Sequence, residues 1–89
     1  LDIQYEKSFK KDYKRILKHG CNPQNLQDVL SFLVNQQPLP EKYRDHYLSG
    51  NYAGYRECHI EPDWLLIYKI FNDKLVLVLT RTGSHSDLF

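Results

Sequence analysis

The sequence has few cysteines and no long apolar run, and both shortages narrow the classes of protein that it can encode. Two cysteines among 89 residues, Cys21 and Cys58, are too few for the disulfide framework of a small secreted domain, so we expect free thiols in a reducing compartment. The longest strongly apolar run covers residues 64–71, which is far too short to cross a bilayer, and no signal peptide is visible. The sequence therefore predicts a soluble cytoplasmic protein.

Metal and cofactor motifs are absent as well. No CxxC, HxxxH or HExxH element is present to hold a metal ion. Cys58 and His59 are adjacent on a predicted strand, which would point their side chains to opposite faces. The chain also has no glycine-rich phosphate loop and no nucleophile-elbow sequence. We therefore expect neither a metal site nor a cofactor.

The formal net charge is only +1, but the basic residues are unevenly distributed. Six of them fall within residues 7–18: Lys7, Lys10, Lys11, Lys14, Arg15 and Lys18. The common explanation is a solvated helix face, and the alternative is an electrostatic surface for a polyanion. The cluster alone does not decide between them.

The first half of the chain reads as a strand followed by two helices. Alternating apolar residues predict a short strand over residues 1–6. A helix follows, with Ser8 as its N-cap and Gly20 as its C-terminal stop. Asn22 then caps a second helix, which ends at the prolines of residues 37–40.

The second half predicts a meander of three strands, at residues 55–60, 64–71 and 74–82. A two-residue turn at Asn72-Asp73 would place Trp64 opposite Arg81 as a stacking pair. The expected fold is a single α+β domain over residues 1–89. In it, a two-helix hairpin packs on one face of a small, mainly antiparallel twisted sheet, with a short C-terminal tail.

Residues 55–64, reading YRECHIEPDW, concentrate groups that can carry out chemistry. Strand alternation separates a face with Glu57 and His59 from a face with Cys58 and Ile60. Histidine titrates near neutral pH and can give or take a proton, although a single histidine is more often a structural or surface residue. Burial of Cys58 against the helices would oppose thiolate formation.

Cleavage of RNA needs few protein groups, because the ribose 2′-hydroxyl is the nucleophile. The protein must remove its proton, stabilise the phosphate and protonate the leaving 5′-oxygen. Histidine, aspartate and arginine can perform these tasks, and aromatic side chains can hold the bases. The chain carries all of these residue types near one predicted end of the sheet.

Three segments, in order, resemble the RelE superfamily of bacterial toxins and in particular its YafQ branch of messenger-RNA endonucleases. They are YRDH at residues 43–46, YRECHIEPDW at 55–64 and RTGSHSDLF at 81–89. The resemblance covers essentially the whole chain and implies a RelE-like fold. It also implies a toxin of a type II toxin–antitoxin system that cuts messenger RNA on the translating ribosome and is silenced by a bound antitoxin.

The resemblance also implies catalytic roles at five positions. His85 would be the general acid, while Asp63 or His59 would help to remove the 2′-hydroxyl proton. Arg81 would hold the scissile phosphate. His46 would orient the phosphate or take part in proton transfer.

Further positions would contact RNA. Trp64 and Phe89 would pack against or stack on the message. A lysine-rich helix face offers sequence-independent contacts with the phosphates of ribosomal RNA, which favours the polyanion explanation of the basic cluster. The lysines assigned to this contact are Lys10, Lys11 and Lys14.

The expected function is thus a metal-independent, ribosome-dependent endoribonuclease. Its expected partners are messenger RNA, the small ribosomal subunit with its RNA, and an antitoxin, with no membrane contact. The superfamily also contains members that poison DNA gyrase and lack this histidine set. The alternative is therefore a non-catalytic RelE-fold binding module, such as a gyrase inhibitor or a degenerate toxin.

Overall fold

In the computed structural model, residues 1–89 form a mixed five-stranded sheet and three α-helices. The strands are β1 (Asp2–Tyr5), β2 (His46–Tyr47), β3 (Arg56–Glu61), β4 (Trp64–Phe71) and β5 (Val76–Gly83). The helices are α1 (Lys7–Lys18), α2 (Pro23–Val34) and α3 (His85–Leu88). The sheet order is β1-β5-β4-β3-β2, and only the β1–β5 pair is parallel. The predicted α+β class is confirmed. None of the helices combines the length and apolar composition that a membrane span requires.

Local sequence explains the end of α1 and the start of α2. The chain leaves α1 at Gly20, whose φ of +88° suits glycine, and the amide of Cys21 donates back to the carbonyl of Ile16 at 3.3 Å. Asn22 caps α2, because its side-chain oxygen accepts from the amide of Gln24 at 3.0 Å. The predicted stop and cap are therefore confirmed.

The start of α1 differs from the prediction. Glu6 is the N-cap, and the Ser8 hydroxyl donates to the carbonyl of Thr80 on β5 at 2.7 Å. An N-cap side chain must accept from an amide in the first helical turn, so the prediction for Ser8 is wrong. Its hydroxyl instead connects α1 to β5.

Strand β4 is the buried centre of the sheet, as its apolar run predicts. On one face, Leu66 and Tyr68 join the main core with side chains from α1 and α2. On the other face, Leu65 and Ile67 form a smaller cluster with Leu88 of α3. The two long helices and the C-terminal residues therefore cover opposite faces of the sheet.

The connection between β4 and β5 is longer than predicted. Phe71 pairs with Val76 instead of Lys74, so residues 72–75 form the loop. The Asn-Asp pair lacks the glycine that favours a two-residue turn, which explains the longer connection. The predicted register therefore fails.

An irregularity in the β4–β5 pairing further changes the neighbours of Trp64. Ile67 lies opposite Arg81, so the predicted stacking of Trp64 with Arg81 is wrong. Trp64 is 2% exposed, and its indole N–H donates to the Thr82 hydroxyl at 2.9 Å. This burial leaves no ring face for a base. The RNA-stacking role predicted for Trp64 is therefore corrected to a core role beneath the site.

The C-terminal tail folds into the single turn α3, which the sequence analysis treated only as a tail. Ser84 accepts from the amide of Asp87 at 3.2 Å, and Asp87 accepts from the amide of Ser84 at 3.0 Å, completing a capping box. These hydrogen bonds lower the pKa of Asp87. With Leu88 packed on the sheet, α3 fixes the positions of His85 and Phe89.

Candidate active site

Three histidines from distant parts of the chain form a row on the face opposite α1 and α2. The ring centroids of His46 and His59 are 6.3 Å apart, and those of His59 and His85 are 5.5 Å apart. They lie on β2, β3 and α3, respectively. We call this set the histidine row. The loop, the sheet and the tail thus meet at one place, as the sequence analysis expected.

Asp63 orients His85, which lies at one end of the histidine row. Its Oδ1 accepts from the backbone amide of His85 at 3.1 Å and lies 2.9 Å from Nδ1 of the same residue. Hydrogen bonding from His85 lowers the pKa of Asp63, so this carboxylate is ionised at neutral pH. An ionised acceptor requires a proton on Nδ1 of His85. The Nε2 atom of His85 is therefore left for the substrate.

Glu57 is a site residue that the sequence analysis did not assign. It is 5% exposed, and its Oε1 lies 3.5 Å from Nε2 of His46 and 3.8 Å from Nε2 of His59. Its other oxygen, Oε2, is buried without a hydrogen-bond partner. The strand alternation had already placed Glu57 on the face of His59, so the signal was present in the sequence.

Backbone carbonyls set the orientation of the His46 and His59 rings. Nδ1 of His46 lies 2.7 Å from the carbonyl of Arg44, and Nδ1 of His59 lies 3.3 Å from the carbonyl of Pro62. Since a carbonyl only accepts, each Nδ1 carries a proton, and both Nε2 atoms point towards Glu57. A further proton at either Nε2 would form an ion pair with this carboxylate.

Arg81 is held by α1 rather than by an aromatic ring. Its Nε donates to Oδ2 of Asp12 at 2.6 Å and its Nη2 lies 3.3 Å from Oδ1 of the same carboxylate. This hydrogen bonding to Asp12 raises the pKa of Arg81, and Tyr52 adds to the effect. The guanidinium therefore stays charged, held by Asp12 on one side and close to Tyr52.

Phe89 provides an exposed aromatic surface beside the site. Its side chain is 65% exposed, and its ring lies edge-on to Tyr52 at a centroid distance of 6.1 Å. Tyr52 in turn lies edge-on to Tyr55 at 5.9 Å. The arrangement leaves Phe89 able to meet a base, as its predicted role requires.

The three lysines with a predicted RNA contact lie on α1 and are exposed: Lys10, Lys11 and Lys14. They lie on a helix that covers the face opposite the histidine row. They are therefore separate from the acid–base groups, and their assigned role concerns docking.

Both cysteines are free. Cys58 is completely buried among the core residues, and burial raises the pKa of its thiol. Nearby carboxylates of Asp45 and Glu57 act in the same direction. A thiolate nucleophile at Cys58 is therefore disfavoured, in agreement with the sequence analysis.

A mixed sheet with two helices on one face and a row of acid–base side chains on the other defines a small α+β protein of the RelE-like class. The full sequence, residues 1–89, matches the model of a family described as "Bacterial toxin of type II toxin-antitoxin system, YafQ". The chain belongs to this YafQ family of toxins.

Individual relatives support the same conclusion. The mRNA interferase toxin YafQ of Escherichia coli strain K12 is 45% identical over 89 residues, covering 99% of this chain and 95% of the relative. A crystal structure of the E. coli DinJ-YafQ complex contains a chain with a TM-score of 0.89 and 42% identity, at 99% and 97% coverage. A crystal structure of a metal-bound toxin from Helicobacter pylori gives a TM-score of 0.94 and 45% identity, at 100% and 99% coverage.

The metal of the H. pylori structure prompts a test of the residues in this chain. No group of three or more His, Cys, Asp or Glu side chains has the geometry to hold a metal ion. Hydrogen bonds from Nδ1 of His46 and His59 to backbone carbonyls leave the two Nε2 atoms 3.5 and 3.8 Å from Oε1 of Glu57. The side chains therefore form no ready-made metal centre.

Proposed function

We propose that this toxin is an endoribonuclease that cuts messenger RNA on the ribosome by acid–base catalysis and is silenced by a bound antitoxin in the cytoplasm. The name of the E. coli relative, mRNA interferase toxin, supports the reaction class. The DinJ-YafQ complex supports a protein antitoxin as partner. The single observation that carries the mechanism is the 5.5 Å distance between the ring centroids of His59 and His85, with His85 oriented by Asp63.

The reaction follows from the placement of protons in this row. His59 accepts the proton of the ribose 2′-hydroxyl as its oxygen attacks phosphorus, and His85 donates a proton from Nε2 to the leaving 5′-oxygen. The new P–O2′ bond and the broken P–O5′ bond leave a cyclic phosphate. The lowered pKa of Asp63 makes it a weak base, which favours an orienting role for this residue over proton removal.

Arg81 and Glu57 support this transfer in different ways. The guanidinium of Arg81 can bind a phosphate oxygen while Asp12 keeps it in place. Glu57 lies between His46 and His59, where it stabilises the ring that takes up the proton. His46 then takes part in the proton transfer or offsets the negative charge of the phosphate.

The first test replaces His85 by Gln, which keeps a polar side chain and removes the titratable ring. Cleavage of a message on ribosomes should fall by at least about 100-fold, because general acid catalysis contributes about 10²–10⁴. Cut sites are mapped by primer extension, with and without ribosomes. His19→Gln is the matched control, since His19 caps the end of α1, outside the row.

Several results would contradict the proposal. Unchanged toxicity and cleavage in the His85→Gln variant would favour a non-catalytic binding module. The native chain should need no divalent metal beyond the magnesium that keeps ribosomes intact. A stricter metal requirement in chelator-treated samples would rule out the histidine mechanism.

A further inference from the structure

A cavity of about 460 Å³ lies beside the histidine row, and the mechanism above uses only one residue of its lining, His59. Its size falls within the range of about 300–1,000 Å³ that is typical of small-molecule sites. We call it the flanking cavity, and its polar lining comprises Asn25, Asp28, Lys42, Arg44, His59 and Glu61. Because His59 is part of the wall, a ligand in this cavity touches the acid–base site directly.

The apolar part of the lining of the flanking cavity comes from Tyr43, Ile60 and Pro62. Tyr43 and Ile60 are both buried and present apolar surface, with Pro62 beside them. The ammonium group of Lys42 lies 4.9 Å from the centroid of the Tyr43 ring. The Tyr43 ring offers no open stacking face, so a base in the cavity meets this apolar lining at its edges and lies beside the Lys42 ammonium group.

Arg44 connects the flanking cavity to the histidine row. Its backbone is left-handed, with a φ of +49°, and its carbonyl oxygen lies 2.7 Å from Nδ1 of His46. Arg44 also lines the cavity. One residue thus contacts the histidine row through its backbone and borders the cavity as well.

Hydrogen-bond acceptors dominate one wall of the cavity. Nδ2 of Asn25 donates to Oε1 of Glu61 at 2.6 Å, which orients the amide and leaves Oδ1 of Asn25 as an acceptor. The carboxylates of Asp28 and Glu61 add further acceptors. Adenine, cytosine and guanine carry exocyclic amino donors, whereas uracil has carbonyl oxygens at the corresponding positions.

From this lining, we propose that the flanking cavity binds the nucleobase next to the scissile phosphate and prefers an amino-bearing base over uracil. Lys42 and Arg44 then contact the adjoining phosphate. This inference rests on the proposed endoribonuclease function and adds a specificity site to it.

The test uses messages that are identical except at the two nucleotides flanking one mapped cut site. Native protein should cut the versions with flanking adenosine, cytidine or guanosine about tenfold faster than the uridine versions. Glu61→Gln keeps an acceptor for Asn25 and removes the charge, so this preference should shrink several-fold while cutting continues. Asp73→Asn, in the loop at the far end of β4, is the matched control.

A second variant tests the phosphate contact. Arg44→Asn removes the charge with a residue that tolerates left-handed backbone, so the contact of its carbonyl with His46 is kept. KM should rise about five- to tenfold with kcat nearly unchanged, because the contact binds substrate and transition state alike. Lys74→Met, also in the distant loop, is its control.

The outcomes separate this inference from the proposed function. If the native chain cuts no message, the endoribonuclease proposal fails. If it cuts all flanking bases equally, or if Glu61→Gln leaves the preference unchanged, the flanking cavity is not a base site. Loss of antitoxin binding in the two variants, with cleavage and preference intact, would likewise overturn the base-binding role in favour of a protein contact.

Discussion

Asp12 lies on the buried side of α1, the helix whose outer surface carries the lysines. Asp12 is 3% exposed and accepts from Arg81, from the amide of Thr82 at 3.2 Å and from Arg15 at 3.4 Å. A buried carboxylate is stabilised only by such partners. Asp12 therefore fixes the orientation of Arg81, which makes it a positioning residue in the proposed reaction.

Asp12→Asn should lower the free energy of unfolding by about 1–3 kcal/mol, because hydrogen bonds to a charged acceptor are lost while the side-chain volume is kept. Denaturant unfolding of Asp12→Asn, Arg81→Met and the double variant gives the coupling between the two residues. We expect the double variant to be clearly less destabilised than the sum of the single changes. Additive effects would contradict a positioning role.

Arg15→Met is the matched control for this cycle. Arg15 also lies next to Asp12, but its side chain is 38% exposed and water screens its charge. Its coupling to Asp12 should therefore be small. In cleavage assays, Asp12→Asn should lower kcat, whereas Arg15→Met should not.

Helix α3 shows how a short element can organise a site. It has only four residues, and its capping box and the packing of Leu88 keep it on the sheet. Asp63 adds the contacts with His85 from the β3–β4 turn. Two ionised carboxylates, Asp63 and Asp87, thus hold the helix that carries His85, the proposed general acid.

The pH dependence of α3 follows from these two carboxylates. Their pKa values are lowered from the ordinary 3.8 by hydrogen bonds to His85 and Ser84, with Arg15 and His19 adding to the effect at Asp87. A lowered pKa in the folded state gives a contribution that is complete above the ordinary value and is lost as pH falls through the lower one. Docking of α3 should therefore persist at pH 6 and be lost only below pH 3.8.

Nuclear Overhauser contacts between the methyl groups of Leu88 and Leu65 report this docking. They should be constant from pH 7 to pH 5 and disappear in acid before the main core unfolds. In the Asp63→Asn/Asp87→Asn variant they should be weaker and nearly independent of pH. Their loss between pH 7 and 5 in the native chain would show that other groups control α3.

On the scale of the whole molecule, the lysines proposed for docking and the histidines proposed for chemistry lie on different faces of one sheet. α1 and α2 cover one face, with the lysines on the outer surface of α1. The histidine row lies on the opposite face, with α3 and the exposed ring of Phe89. A toxin of this shape can contact ribosomal RNA with one surface while another meets the message.

Charge reversal of Lys10, Lys11 and Lys14 to Glu should weaken ribosome binding and make it less dependent on salt. Each lost phosphate contact lowers the slope of log affinity against log salt by about 0.7–0.9, so three contacts lower it by about two or more. Sedimentation with ribosomes at several salt concentrations measures this slope. His85→Gln should bind as the native chain does.

The matched control is charge reversal of Lys69 and Lys74 to Glu. Lys69 lies on β4, and Lys74 lies in the loop that follows it. This reversal changes the net charge in the same direction without touching α1. If the two sets of variants bind ribosomes equally well, the docking role of α1 is wrong. If both weaken binding in proportion to the charge they remove, the attraction is set by net charge alone.

Short-range patterns predicted the elements well and their pairing poorly. Gly20 and Asn22 act within one helical turn, and the structure confirms both. The partner of Arg81 depends on the length of a loop and on a bulge, and the prediction from a two-residue turn was wrong. A shift of register moves side chains relative to every neighbour, so a local error becomes a large one.

The sequence by itself determined the class of fold, the family and the residue types of the site, because periodicity, turn residues and motif spacing are properties of short segments. Only the tertiary structure decided which of those residues meet. It placed Trp64 in the core, brought Glu57 between two histidines and paired Arg81 with Asp12. These outcomes depend on burial and on contacts between segments up to 69 positions apart, and no local pattern encodes them.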